Sequence, residues 1–183
     1  MPLSPLRPAL VVLLALSAPA AQAVGSDDPA PPTPTQTTEV CEDGLIWDAE
    51  TELCVAPTQE SGLTDDQLYD AAREFAYAGQ YEHAQAALRA MSDPGQDRVL
   101  AYMGFTTRAM GDMAGGMAYY QAALTANPDN LLARSYMGQA LVLQGDIEGA
   151  MTQLLEIEAR GGARSWPHLA LLEAIEKGTP SFY

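Results

Sequence analysis

Basic residues are scarce: nine Lys and Arg stand against 24 Asp and Glu, giving a formal charge of −15. Phosphate contacts need clustered cations, so this composition argues against nucleic acid or an anionic membrane surface as a partner. Histidine is nearly absent too. His83 and His168 are far apart in the chain, and neither has a Cys or His at ligand spacing. No metal and no cofactor is therefore expected. The sequence has no nucleophile elbow, no paired-histidine zinc motif, no phosphate-cradling glycine loop and no calcium loop. Its many carboxylates are scattered, as on a solvated surface. No catalytic residues are expected, and the chain reads as a binding protein and not an enzyme. Long apolar runs are missing as well. The longest, ALVVLLAL at 9–16, falls far short of the roughly 20 residues that a membrane span requires.

That short run has a different meaning. It follows a start with one positive charge, Arg7, and precedes Ala21-Gln22-Ala23, a small-x-small cleavage pattern. Residues 1–23 are expected to be a signal peptide removed after Ala23. The mature chain is then periplasmic or secreted, with no stable membrane insertion. Residues 24–38 are rich in Pro and Thr, and prolines without a period predict an extended, unpacked linker.

What the chain does have is a hydrophobic share of 48%, enough for a real core. From 64 onward Ala, Leu, Met, Tyr and Gly recur at helical spacing. Leu68, Ala71, Ala72 and Phe75 follow the i, i+3, i+4, i+7 pattern of one buried helix face. The region also repeats. Blocks 97–130 and 131–164 are each 34 residues long and align Gly104 with Gly138, Gly111 with Gly145, and Asp112 with Asp146. Gly116 falls on Ala150, and a shorter copy, 65–96, supplies Ala72, Gly79 and Ala84 at the matching places. A fixed period of this size means stacked helical units.

These small residues and this period resemble the tetratricopeptide repeat. The resemblance implies an all-α fold of three helix pairs across 64–178, closed by a capping helix over 165–177. In the cap, Ser165 is expected as N-cap, and Trp166, Leu169, Leu172 and Ile175 are expected to face the third repeat. The sequence departs from the family where Leu68, Leu100 and Arg134 replace its tryptophan, and where Gly161-Gly162 replaces a closing proline. The methionines crowding the middle repeat, among them Met103, Met113 and Met117, read as flexible core filler, against a Cu(I) thioether site.

Cys41 and Cys54 are the only cysteines, and export makes a disulfide between them the expectation. Segments 44–47 and 53–55 read as two short strands around a turn. Residues 39–57 thus form a small stapled hairpin, set off from the repeats by the loop-like stretch 56–62, so that reduction should leave helicity unchanged. The pattern C-x-x-G-L-x-W-D…C-x-x-P resembles one hairpin of the peritrophin-type chitin-binding module, which implies sugar stacking on Trp47. That family has three disulfides and this segment allows one. The alternative is a spacer in which Trp47 covers the disulfide.

The tetratricopeptide resemblance also implies a concave groove lined by the first helix of each pair. The residues it places there are Tyr69, Arg73, Tyr77, Arg98, Phe105, Arg108 and Gln139. Arginines set among aromatics have the composition of a binding hot spot. The expected partner is a protein or peptide, with an acidic segment or C-terminal carboxylate to meet the arginines. The alternative is that the arginines balance acidic neighbours, as Arg73 and Asp70 could by spacing. A second function, of another class, is a wall-associated protein that binds glycan through the hairpin.

Overall fold

The computed structural model describes residues 30–180. The expected signal peptide and the first part of the Pro-rich linker lie outside the described residues. The helical region forms three pairs: α2 (Asp65–Tyr77) with α3 (Tyr81–Ala90), α4 (Asp97–Ala109) with α5 (Met113–Ala126), and α6 (Leu131–Leu143) with α7 (Ile147–Ala159). A last helix, α8 (Trp166–Lys177), packs on both α6 and α7. Successive pairs stack through α3 on α4 and α5 on α6, with a main core over α2 to α6 and smaller apolar clusters where α6, α7 and α8 meet.

The two Gly-Asp turns explain the sharp reversals in the second and third pairs. Gly111 and Gly145 take φ of 99° and 79°, the left-handed region that ends a helix. Asp112 and Asp146 then cap the next helix, accepting from the Gly115 and Gly149 amides at 2.8 and 2.9 Å. The first pair has Gln80 at the same place, and it makes no side-chain cap bond. That pair is anchored instead at its start. The Thr64 hydroxyl accepts from the Gln67 amide at 3.2 Å, while the Gln67 side chain accepts from the Thr64 amide at 2.8 Å.

The small residues set the helix spacing, although not all in the same way. A Cβ on Gly116 would stand 2.8 Å from the Arg108 Cβ and 3.0 Å from the Gly104 carbonyl oxygen, so α4 and α5 approach closely only because Gly104 and Gly116 face each other. Gly138 instead makes room for the cap, since a Cβ there would lie 2.6 Å from the Leu171 side chain of α8. That packing fixes the register of α8. Pro167, His168, Ala170, Leu171 and Ala174 are buried, and Leu169, expected inside, is 50% exposed. Ser165 holds the N-cap position without a side-chain cap bond.

Two methionines, Met91 and Met137, are buried core residues, while Met110 and Met151 are largely exposed. Where the family has tryptophan, Arg134 is buried and donates to the Pro128 carbonyl at 2.7 Å. Burial, together with neighbouring Arg160, lowers its pKa.

The segment before the repeats differs from expectation. Residues 30–40 form an arm with one helical turn, α1 (Gln36–Glu39), and the arm is packed and not free. The hairpin that follows, β1 (Ile46–Asp48) and β2 (Leu53–Val55), pairs antiparallel with Trp47 opposite Cys54, and Cys41 is bonded to Cys54. It is no detached spacer. Ile46 is 2% exposed and shares the main core with Leu68, Ala72 and Phe75. The backbone at Gly44 lies so close to α3 that a Cβ would meet the His83 ring at 2.6 Å. The hairpin and arm thus close the face of the first pair that has no repeat before it.

Candidate functional site

The first helices of the pairs bring their aromatic residues together as a continuous run. Tyr69 meets Tyr102 edge-on at 5.6 Å, Tyr102 meets Tyr136 at 5.8 Å, and Phe105 stacks on Tyr136 at 5.1 Å. Tyr77 sits at the end of this run, 5.8 Å from Phe105 and 6.4 Å from Trp166 of the cap. Such edge and offset contacts add to the burial energy of each ring. The same run stiffens the inner face, because each ring holds its neighbours.

Of the seven residues that the sequence assigns to the groove, five are nearly closed off. Tyr69, Arg73, Phe105, Arg108 and Gln139 are all less than 10% exposed. Tyr77 and Arg98 are half-buried. Two of the arginines, Arg73 and Arg98, have acidic neighbours. Arg73 donates to the Tyr102 hydroxyl at 3.3 Å and pairs with Asp70 at 3.5 Å. Burial works against its charge, yet Tyr102, Tyr69 and Asp70 hold its pKa above the ordinary value. For Asp70, burial dominates and raises the carboxyl pKa despite Arg73. Arg98 pairs with Asp66 at 2.9 Å and lies over the Tyr69 ring at 4.7 Å. Gln139 donates to the Ser135 hydroxyl at 3.1 Å.

The open part of this face lies at its far end. A cavity of about 270 Å³ is lined by Tyr81, Arg108, Ala109, Met113, Leu143 and Pro180. Leu143 is 48% exposed, and Met110 and Ile147 nearby are also largely exposed. Sequence reasoning found Arg108 but missed Tyr81, Met113 and Leu143. They come from the turn ends of three different helices, which periodicity within one helix does not connect. A second cleft, of about 510 Å³, opens between α3, α4 and α5 over Leu88, Val99 and Met103. Its visible signal is the shorter first repeat, whose α3 has ten residues where α5 has 14.

At the other end, the arm meets α2. Glu74 is buried, and its carboxylate accepts from the Thr35 amide and hydroxyl, both at 2.7 Å, and from the Thr38 amide at 3.1 Å. The Thr38 hydroxyl also donates to it. Arg73 donates to the Ala30 carbonyl at 2.5 Å. Trp47 is half-buried, and its amide donates to the Thr37 hydroxyl at 3.3 Å. His83 sits beside Gln80 and Phe75, and His168 pairs with Glu158 at 2.9 Å. Among the described residues, no group of three or more His, Cys, Asp and Glu is placed to hold a metal ion. Among the same residues, no helix is long and apolar enough to cross a membrane.

Against known proteins, a family model described as the tetratricopeptide repeat matches residues 107–174. The match runs from the end of α4 through α8, so the cap continues the repeat pattern, while the first pair lies outside the matched span. No curated protein and no solved structure shows significant similarity to the chain. Tetratricopeptide repeats are a non-catalytic scaffold type that mediates protein–protein interaction. With its 34-residue blocks, Gly-Asp turns and stacked helix pairs, this chain is similar to the tetratricopeptide repeat family, and the match covers residues 107–174.

Proposed function

We propose that this chain is a scaffold of the cell envelope, exported by its first 23 residues, that holds a protein or peptide partner along the inner face of its repeats. The observation that carries the reading is the cavity where Arg108 and Tyr81 stand beside the exposed Leu143. Aromatic, arginine and apolar groups around a concavity are the composition of an interface hot spot. The rest of the chain is strongly acidic, so an acidic segment or a carboxylate on the partner would be steered to the arginine end of the face. Trp47 is held against the arm through its backbone amide, and nothing about its placement favours glycan stacking over covering the disulfide.

The test is capture of partners from envelope extract by the oxidised full chain and by Leu143→Asp and Arg108→Gln variants. Leu143 is exposed, so its variant should melt like the wild type and yet lose the captured partner. If both variants fold and retain the same partner, the cavity is not the site.

A further inference from the structure

The contacts between the arm and α2 have the form of a bound peptide. Residues 30–40 (APPTPTQTTEV) present two hydroxyls and two backbone N–H groups to one buried carboxylate, Glu74, and one backbone carbonyl to Arg73. Every one of those groups belongs to backbone, to Thr or to a side chain of α2, so the recognition needs no apolar anchor from the arm. Such polar sites are costly when left half-satisfied and therefore select their occupant. The arm carries no large apolar residue into the core, whereas the hairpin behind it is anchored by Ile46.

The disulfide decides how firmly the arm is presented. Cys41 directly follows the arm, and Cys54 lies close to the start of α2, so the bond shortens the tether between arm and site. It also staples a hairpin of three-residue strands, which is marginal alone. Both cysteines are half-buried, and Glu42 and Leu53 beside them are exposed, so a thiol can reach the bond.

We propose that residues 30–40 are an intramolecular ligand of the Arg73–Glu74 end of the inner face. Opening the Cys41–Cys54 bond then frees that site for an extended, hydroxyl-rich segment of a protein partner. The reductant is a dithiol, small or protein-borne. Its two thiols become a disulfide as two electrons and two protons pass to Cys41 and Cys54, which end as free thiols. Reduction should raise the open population of the arm about threefold, because the tether between arm and site roughly doubles in length when the bond opens. The proposal rests on the inner face being a docking surface. Its test uses no envelope partner, so failure of partner capture at the cavity leaves it standing or falling on its own.

The probe is a fluorescent peptide with the sequence of residues 30–40, added in trans to the full chain. The oxidised wild type should not bind it. A Thr35→Ala/Thr38→Ala chain, reduced by a dithiol, should bind it, because its own arm no longer competes. Adding Glu74→Gln to that chain should abolish binding while far-UV helicity is unchanged. Equal binding by oxidised wild type, or no binding by the reduced Thr variant, overturns the proposal. So does loss of helicity on reduction, because the arm would then be part of the fold and not a ligand of it.

Discussion

The two ends of the array are closed by different physics. At the C-terminal end, α8 lays Leu171 over Gly138 and buries Ala170 and Ala174, so the cap is a further apolar layer packed on α6 and α7. At the N-terminal end the closure is a disulfide hairpin with one deep anchor, Ile46, and an arm bonded through the Glu74 carboxylate. A repeat array must hide the faces its last units leave open. An apolar cap can be removed only by unfolding its neighbours. The arm, bonded through Glu74, can be released while Ile46 still holds the hairpin in the core, so the N-terminal end is the one that can open without unfolding its neighbours.

The comparison breaks most visibly at the apolar end. Leu171→Ala leaves a void above Gly138 and should cost about 2–5 kcal/mol. Thermal melting should fall by many degrees, with α6 and α7 losing protection along with α8. The next largest effect belongs to the staple. Cys41→Ser with Cys54→Ser should cost about 3 kcal/mol, through loss of loop closure, and the cost should be confined to the cap. Limited proteolysis should then cut within 30–63, while far-UV helicity stays near that of the wild type.

A smaller change sharpens the polar contact itself. Glu74→Ala removes charge-assisted acceptors from Thr35 and Thr38 and should cost about 1.5–3 kcal/mol, with the disulfide intact. Arm amides should exchange faster while the hairpin amides do not. The smallest effect is at Asp65, whose carboxylate accepts from the Ser92 amide and hydroxyl and so ties the start of α2 to the loop after α3. The Ser92 hydroxyl, then the Ser92 amide, lower its pKa. A lowered carboxyl pKa gives stability that is present above the ordinary carboxylate value and is lost as pH falls through the lowered one. Asp65→Asn should thus melt slightly below the wild type at pH 6, by about 0.5 kcal/mol, and the gap should close toward pH 2.

Much of the array was legible because its signals are local or periodic. Gly111-Asp112 and Gly145-Asp146 mark turns within a few residues, and the 34-residue period carries that reading from one block to the next. The same logic failed where contacts are long-range and polar. Thr35 and Thr38 reach Glu74 from 39 and 36 residues away, and their Pro-rich surroundings have no period that points to a partner. A polar segment reads as a linker whenever its hydrogen bonds are made by a distant acceptor. The register of α8 was misread for a related reason. Leu169 fits a helical stripe, but Gly138 admits only Leu171. For the candidate groove, the sequence chose residues on the first helices of the pairs. Most of them are engaged with each other, as in the Tyr69–Arg98 and Arg73–Tyr102 contacts, and the open cavity lies where three turns converge.

The central claim is that the two ends are independent, one releasable and one integral. Hydrogen exchange across the full chain, before and after reduction of Cys41–Cys54, measures this directly. The account predicts faster exchange in residues 30–55 and along the exposed side of α2, with α6, α7 and α8 unchanged. Faster exchange spread evenly over all the helices, or none in the arm, would contradict it.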